Sequence, residues 1–300
     1  MTSPLQITNY KPSFLFFGTG EIAVGVLNEL ERSNQLPSLI VTSPDKPAGR
    51  GSILTPSPVK VWALERGIDI LQPEKLDEIF CAQLQATGYK LFIVVDYGAF
   101  LPKKLLAIPE RGTLNMHPSL LPRLRGPSPI RSAILNDEKE IGVSVMLVDE
   151  KMDHGPIVAQ RKVVVLEWPM RGRELDLLLA REGGKLLSEM IPLWFDGAIE
   201  AREQNHDVAT FSQMFSKEDG LLDLVHGDPY KNLLKIRAFE GWPGTYSFFE
   251  RGDKRIRTQI FDARLVGKKL LLERVKPEGK QEMSYEEFAR SGAVPSSDIT

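Results

Sequence analysis

The chain contains 300 residues, of which 42% are hydrophobic and 26% are charged, and this composition excludes a wholly disordered protein. Its formal net charge of -2 argues against a uniformly basic protein that binds nucleic acid without selectivity. The single cysteine, Cys81, excludes an intrachain disulfide and a zinc site built from several cysteines, so we expect no metal. At ~150 residues per domain, the length suggests about two domains.

The sequence shows no sign of export or of membrane insertion. A membrane-spanning helix would need a run of ~18 apolar residues, and none is present. A secretory signal would need a basic start followed by an apolar stretch, and the N-terminus, MTSPLQITNYKPS, has neither. We therefore expect a cytoplasmic protein that does not act at a membrane.

The first half of the chain alternates apolar runs with amphipathic stretches, which predicts an α/β fold with βαβ units around a parallel sheet. Strands are predicted at residues 13–18, 39–42, 68–71, 91–98, 112–117, 141–148 and 156–165. Helices are predicted at residues 22–30, 59–66, 77–85, 130–135 and 173–193. Residues 43–58 are rich in proline and glycine, so a long loop is predicted there.

A polar stretch without an apolar face follows the last of these helices and predicts a domain boundary. We expect a first domain over residues 1–196, a linker over 197–210 and a second domain over 211–300. In the second domain a helix is predicted at 230–239, and short strands are predicted at 246–250, 255–261 and 269–275.

One motif suggests a dinucleotide site. Residues Gly18–Ala23 fit G-x-G-x-x-A between a predicted strand and a predicted helix, where a pyrophosphate could approach the helix N-terminus. The acid expected at the end of the second strand is missing, since that strand ends Val41-Thr42-Ser43 and Asp45 falls in the loop. The motif is therefore more typical of a tight strand-to-helix turn, and an NAD-binding oxidoreductase remains the weaker alternative.

A second motif carries groups suited to catalysis. Asn115 and His117 lie two residues apart on a predicted strand, so their side chains leave the same face. Pro118 ends that strand, which places both groups near the carboxyl end of a parallel strand, where α/β sheets hold their sites. Asp153 follows a further apolar strand, in a loop closed by Gly155.

These three side chains suit one kind of chemistry. An amide can donate to a developing oxyanion, an imidazole can exchange protons near neutral pH, and a carboxylate can orient it. No serine or cysteine nucleophile is indicated. Asn115, His117 and Asp153 therefore predict direct transfer of a group from a bound donor.

Several ordered motifs resemble those of a known family. Residues Asn115–Pro122 read NMHPSLLP, and Asp153 follows downstream. Residues Pro44–Gly51 read PDKPAGRG, and Pro56–Lys60 read PSPVK. Together they resemble the folate-dependent formyltransferases, and within that family the members that act on methionyl-tRNA.

The resemblance implies an activity and a donor. Such an enzyme moves the formyl group of 10-formyltetrahydrofolate to the α-amine of methionyl initiator tRNA. Asn115 would then hold the formyl oxygen, while His117 and Asp153 would assist the same oxyanion or move protons. The residues implied at the folate site are Tyr97, Gly98, Ser119, Leu120, Leu121 and Pro122.

The resemblance also implies a fold and an RNA partner. The first domain would be Rossmann-like, and the second would be a small OB-like β-barrel that binds tRNA, in an enzyme expected to be a monomer. Residues 251–280 contain ten Lys or Arg against four Asp or Glu, a local balance of +6 that suits phosphate contact. The residues implied in tRNA binding are Lys46, Arg50, Lys60, Arg251, Lys254, Arg255 and Arg257.

Three features depart from the family pattern. No strand is predicted between Phe261 and Lys269, so three or four strands would stand where the barrel has five. Asp96 replaces a small apolar residue, and a carboxylate buried there would need a partner. His154 beside Asp153 is either a solvated neighbour or a second titrating group.

An amino-sugar nucleotide N-formyltransferase is the nearest alternative function, since it would share the Asn, His and Asp set and the folate. The PDKPAGRG loop and the Trp242-Pro243 region argue against it.

Overall fold

The computed structural model of the protein describes residues 13–48 and 51–298. The chain divides into two compact units. The first unit extends to Pro122 and also contains Gly142–Lys162 and Leu179–Val208. The second unit consists of Arg123–Ile141, Val163–Leu178 and the chain from Ala209 onward.

The elements as far as Phe195 are mixed strands and helices. They are β1 (Leu15–Gly18), α1 (Glu21–Arg32), β2 (Leu39–Val41), β3 (Lys46–Ala48), β4 (Ile53–Thr55), α2 (Pro58–Leu64), β5 (Ile70–Leu71), α3 (Glu78–Gln85), β6 (Phe92–Val95), α4 (Lys103–Leu106), β7 (Thr113–His117), α5 (Pro129–Leu135), β8 (Ile141–Leu147), β9 (Ile157–Val163) and α6 (Gly172–Phe195). The remaining elements are α7 (Pro229–Ala238), β10 (Thr245–Arg251), β11 (Lys254–Val266), β12 (Lys269–Pro277), β13 (Met283–Ser284), α8 (Tyr285–Ala289) and β14 (Val294–Pro295). Within the described residues, no helix is both long enough and apolar enough to cross a membrane.

A central sheet organises the first unit. In the described chain it has seven strands in the order β5-β2-β1-β6-β7-β8-β9. The pairs β5-β2, β2-β1, β1-β6 and β6-β7 are parallel, which confirms the predicted Rossmann-like α/β fold. The strand β8 runs antiparallel to β7, so the predicted parallel sheet is in fact mixed. An apolar run shows that a strand is buried but does not show its direction.

The turn between β1 and α1 depends on two glycines that pack closely. A Cβ at Gly18 would lie 2.9 Å from the Ala23 Cβ and 3.0 Å from the Val95 carbonyl oxygen. A Cβ at Gly20 would collide with the Asp96 carboxylate. The close approach of β6 therefore explains Gly18, whereas the exposed Asp96 side chain could turn away from a Cβ at Gly20. The turn itself agrees with the strand-to-helix turn predicted for this motif.

The proline-rich stretch after β2 contains more structure than the long loop predicted for it. Strands β3 and β4 form an antiparallel pair in which Lys46 faces Thr55 and Pro47 faces Leu54. Such three-residue strands are too short to show an alternating pattern, which is why the sequence did not indicate them. Ile53 and Leu54 are exposed on this hairpin.

The second unit contains an antiparallel sheet. Over the residues described, five strands follow the order β13-β12-β11-β10-β14. Phe249, which is fully buried, packs in T-shaped contact with Phe288 at a ring separation of 5.1 Å. Ile260 and Val275 complete this core together with Leu222 from the preceding segment.

The strand count differs from the prediction for a physical reason. The register between β11 and β12 shifts around Asp262, and this bulge breaks the alternation of apolar and polar residues. The sequence therefore indicated a strand end at Phe261, whereas β11 continues to Val266. Strands β13 and β14 have two residues each and leave no pattern to detect.

Replacing Phe249 by alanine tests this core. We expect the free energy of unfolding to fall by about 3–5 kcal/mol, because a large buried ring is lost and a cavity remains. Chemical denaturation monitored by circular dichroism measures the change. Val266→Ala, at an exposed strand end, is the control and should change stability by less than about 0.5 kcal/mol. Equal effects of the two substitutions would contradict the assignment of Phe249 to the core.

Candidate active site

Strand β7 positions the first two candidate catalytic residues. Asn115 lies opposite Val94 of the parallel strand β6 and opposite Met146 of the antiparallel strand β8. His117 is the last residue of β7 and faces Ser144. Asn115 is half-buried, whereas His117 is only 4% exposed, so both side chains are held at the carboxyl end of the strand.

The loop after β8 brings a carboxylate to the same place. The Asn115 Nδ2 atom donates to Asp153 Oδ1 over 3.4 Å, and His117 Nδ1 lies 3.6 Å from that same oxygen. Asp153 has a φ angle of +47°, in the left-handed region that non-glycine residues seldom adopt. The structure thus brings together the three residues that the sequence singled out.

This arrangement supplies three complementary groups around one oxygen atom. The carboxylate of Asp153 can accept a proton or orient the neighbouring donors, and the imidazole of His117 can carry a proton. The Asn115 amide can donate to an oxygen atom that gains negative charge. The site is therefore suited to transfer reactions at a carbonyl carbon.

The histidine next to Asp153 belongs to a different contact. His154 Nδ1 lies 2.7 Å from Asp149 Oδ2, and its ring stacks on His206 with a centroid distance of 4.1 Å and an interplanar angle of 4°. His154 is thus anchored beside the three candidate catalytic side chains, rather than being a solvated neighbour.

The loop that follows His117 is held by a buried serine. The Ser144 hydroxyl donates to the Ser119 carbonyl over 2.6 Å and accepts from the Leu121 N–H over 3.1 Å. Gln160 Nε2 donates both to Ser144 Oγ and to the Leu121 carbonyl, each over 2.8 Å. The predicted folate segment, which runs to Pro122, therefore has a fixed backbone beside the site.

The other predicted folate residues follow β6. Tyr97 is buried and packs its ring against Phe17 at 5.3 Å, and this burial raises the pKa of Tyr97 to about 12. Only its backbone can face a ligand, because the ring belongs to the core. Gly98 is exposed with a φ angle of +79°. Asp96 is exposed, so the burial considered for its carboxylate does not occur.

Two predicted tRNA residues, Lys46 in β3 and Lys60 in α2, have different environments. Lys46 is exposed, whereas Lys60 Nζ lies 2.7 and 2.9 Å from the two carboxylate oxygens of Asp45. Gln72 donates to Asp45 over 2.8 Å, and the bonds from Gln72 and Lys60 hold the pKa of that carboxyl below its usual range. Lys60 therefore anchors the base of the hairpin. Arg50 lies outside the described residues.

The four predicted tRNA-binding residues of the second unit lie on two faces of the hairpin formed by β10 and β11. The Arg255 guanidinium lies 3.9 Å from the centroid of the Phe248 ring, and that of Arg257 lies 3.8 Å from that of Tyr246. We call these four residues the arginine–aromatic face. Arg251 and Lys254 face each other at the hairpin end, and the alternation of strand residues places them on the opposite face. All four basic side chains are exposed.

Sequence reasoning missed two residues that support the site. Ser144 is the one polar residue within the apolar run of β8, and this interruption was a usable signal. Gln204 contacts the Asp153 loop from a distant polar stretch, which offered no signal of its own. In the described part of the chain, no cluster of three or more His, Cys, Asp or Glu side chains could hold a metal ion.

Known proteins resemble the chain along most of its length. The formyl transferase family matches residues 11–191. A methionyl-tRNA formyltransferase from Herpetosiphon aurantiacus is 37% identical over 303 residues, which cover 92% of this chain and 96% of that protein. Another from Chloroflexus aurantiacus is 41% identical over 244 residues, covering 81% of this chain and 78% of that protein.

Solved structures share the fold. A methionyl-tRNA formyltransferase from Clostridium thermocellum superimposes with a TM-score of 0.59 at 16% identity, covering 88% of this chain and 98% of that one. An N-formyltransferase from Helicobacter canadensis in complex with folinic acid and dTDP-3-aminofucose gives a TM-score of 0.57 at 17% identity, covering 87% of this chain and 98% of that one. At such identities the likeness establishes the fold alone.

Replacing Ser144 by alanine tests the support of the Ser119–Pro122 loop. We expect the free energy of unfolding to fall by about 1–3 kcal/mol, because a buried N–H and a buried carbonyl each lose a partner. Urea denaturation measures the loss. Ser33→Ala, at an exposed position after α1, serves as the control. A Ser144→Ala protein as stable as the control would show that the hydroxyl does not hold the loop.

Proposed function

The chain belongs to the formyl transferase family and to its methionyl-tRNA formyltransferase members, and on this premise we propose that it formylates methionyl initiator tRNA. The formyl group would pass from 10-formyltetrahydrofolate to the α-amine of the esterified methionine. The observation that carries the proposal is the convergence of Asn115 and His117 on one oxygen of Asp153, at the end of the central sheet.

Asn115 is proposed to stabilise the developing negative charge. Its amide nitrogen is half-buried and already points toward the Asp153 loop, so it can donate to the formyl oxygen as the amine attacks the formyl carbon. One donor of this kind contributes about 3–4 kcal/mol to transition-state stabilisation. The amide needs no change of protonation state to do this.

His117 and Asp153 are proposed to handle the protons of the reaction. The amine loses a proton as the new carbon–nitrogen bond forms, and the folate nitrogen gains one as its bond to the formyl carbon breaks. An α-amine titrates near 7.7–8.0, so an appreciable neutral fraction exists at neutral pH without a strong base. The His117–Asp153 pair therefore positions and relays protons more than it creates a nucleophile.

The folate donor is proposed to lie along Ser119–Pro122 and Tyr97–Gly98. The chemistry of the site fits such a donor, because partly exposed polar groups at a strand end lie beside a loop with a fixed backbone. The Leu121 N–H is already bonded to Ser144, and the Ser119 and Leu121 carbonyls each accept one bond, which leaves each of these oxygens a second lone pair that can accept from a pterin. Leu120 would add apolar contact.

The RNA partner is proposed to contact both units. Arg50 and Lys46, the latter in strand β3, would contact the acceptor end, while Lys60 would contact both Asp45 and a phosphate. The strands of the second unit, with their long bulged pair β11 and β12, are proposed to form an OB-like barrel that binds the tRNA backbone. Arg255 and Arg257, stacked on aromatic rings, suit contact with RNA phosphates and bases.

The domain division follows from these roles. We propose a catalytic domain over residues 1–196 and a tRNA-binding domain over 211–300, joined by residues 197–210. We further propose a cytoplasmic monomer that requires no metal.

The acceptor is tested by single-turnover formylation with a labelled donor. We expect methionyl initiator tRNA to be formylated much faster than methionyl elongator tRNA, and a nucleotide-linked amino sugar not at all. Formylation of the amino sugar alone would contradict the proposal. Tight binding of NAD(H) without binding of folate would contradict it as well.

Replacing Asn115 by alanine should lower kcat by about 100-fold or more, because an oxyanion donor is lost, while the KM values change little. Steady-state formylation measures the change. Asn136→Ala, which removes an exposed amide after α5, is the matched control and should retain full activity. A mild effect at Asn115 would disprove its oxyanion role.

Neutralising the arginine–aromatic face should weaken tRNA binding in a salt-dependent way. For Arg255→Gln/Arg257→Gln we expect a higher KM for tRNA and a flatter slope of log KM against log salt, by about 0.7–0.9 for each phosphate that is no longer neutralised. The KM for folate should not change. Lys90→Gln/Lys104→Gln, which removes the same charge from exposed positions of the first unit, is the control. Equal salt slopes in mutant and parent would contradict the role of this face.

A further inference from the structure

The polar stretch after α6 does more than connect two parts of the chain. Its backbone pairs with the start of β9, since Arg202 and Ile157 exchange hydrogen bonds of 2.7 and 2.8 Å. Residues 204 and 206 then lie against the loop that carries Asp153. None of the residues in this stretch was assigned to the site by the sequence.

Gln204 is the central contact. Its Nε2 atom donates to the carbonyl of Asp153 over 3.0 Å and to the carbonyl of Gly155 over 2.7 Å. The residue is only 4% exposed. A carboxamide nitrogen has two hydrogens, so one side chain joins the carbonyls on both sides of His154.

The loop needs such support because its backbone is constrained. Asp153 adopts a left-handed conformation without being glycine, and this conformation persists only where surrounding contacts impose it. Gly155 cannot be replaced by a larger residue there, because a Cβ would collide with the Leu147 carbonyl. The bond from the Leu147 N–H to the Pro156 carbonyl, 2.9 Å long, closes the loop behind it.

A second contact from the same stretch holds His154, the residue between the carbonyls of Asp153 and Gly155. His206 stacks on His154, whose Nδ1 atom contacts Asp149 across the loop. The loop is thus held at its backbone by Gln204 and at its middle side chain by His206. The side chain of Asp153 remains directed toward Asn115 and His117.

We propose that Gln204 is a positioning residue for formyl transfer, which fixes the backbone of Asp153 so that its carboxylate meets Asn115 and His117. The inference rests on the proposed formyltransferase activity. The bonds of Gln204 go to the backbone of the Asp153 loop, so its effect should fall on the rate of the chemical step rather than on substrate binding.

The test begins with Gln204→Met, which keeps the length of the side chain and removes both donors. We expect kcat to fall about tenfold or more, with KM values for folate and tRNA within about twofold of the parent. Gln35→Met is the matched control, because it removes a glutamine-to-carbonyl bond of 2.9 Å to Ser188, away from the site. Thermal unfolding measures the stability of both variants. We expect the two substitutions to lower stability equally, while only Gln204→Met lowers kcat.

Gln204→Asn covers the case in which Gln204→Met does not fold. Its amide is one methylene shorter, so it cannot reach both carbonyls, and we expect an intermediate loss of kcat. Gln160→Met provides a contrast. The Gln160 amide donates to the Leu121 carbonyl in the proposed folate segment, so the loss of this amide should raise the KM for folate instead of lowering kcat.

A double-mutant cycle with Asp153→Asn separates positioning from a general structural role. If Gln204 acts through Asp153, its replacement should cost little further rate in the Asp153→Asn background. An equal fractional loss in both backgrounds, or an unchanged kcat in folded Gln204→Met, would overturn the inference. A parent protein that does not formylate methionyl-tRNA would instead overturn the proposed function, so the two failures are distinguishable.

Discussion

The candidate site depends on one convergence, in which a single carboxylate oxygen of Asp153 lies 3.4 Å from the Asn115 amide and 3.6 Å from the His117 ring. Two of these groups come from β7 and are fixed by the sheet, but the third stands on a loop in a left-handed conformation. A loop holds a carboxylate less firmly than a strand does. The contacts of Gln204 and His206 restrict this loop and so hold Asp153 in place. The site thus combines two side chains held by a strand with a third on a loop that tertiary contacts hold in place.

In the proposed function, a chain of net charge -2 binds RNA through a local excess of basic side chains. The acidic excess elsewhere offsets the local excess of lysine and arginine after residue 250. In the second unit, stacking on Tyr246 and Phe248 orients the guanidinium groups of Arg257 and Arg255 instead of leaving them mobile. Such an arrangement favours selective contact over a general attraction for polyanions.

Much of the site was predictable because it obeys strand geometry. Asn115 and His117 share a face through the period of two, and Asp153 follows the next strand of the sheet. The direction of β8 was not predictable, since a run of apolar residues does not show whether its strand lies parallel or antiparallel to its neighbours. The bulge at Asp262 concealed the second half of β11, and the Gln204 contact links residues 51 positions apart that carry no shared pattern. What escaped prediction was therefore strands too short or too irregular to show a pattern, together with tertiary contacts.

Asp153 is proposed to act directly in formyl transfer to methionyl initiator tRNA. Single-turnover transfer of a labelled formyl group, with saturating enzyme and tRNA, compares the parent with Asp153→Asn, a variant of nearly identical shape. We expect the Asp153→Asn rate to be about 100-fold lower or more, with unchanged affinity for folate and tRNA. A rate within about threefold of the parent would contradict it, because the convergence at Asp153 would then have no part in the chemistry.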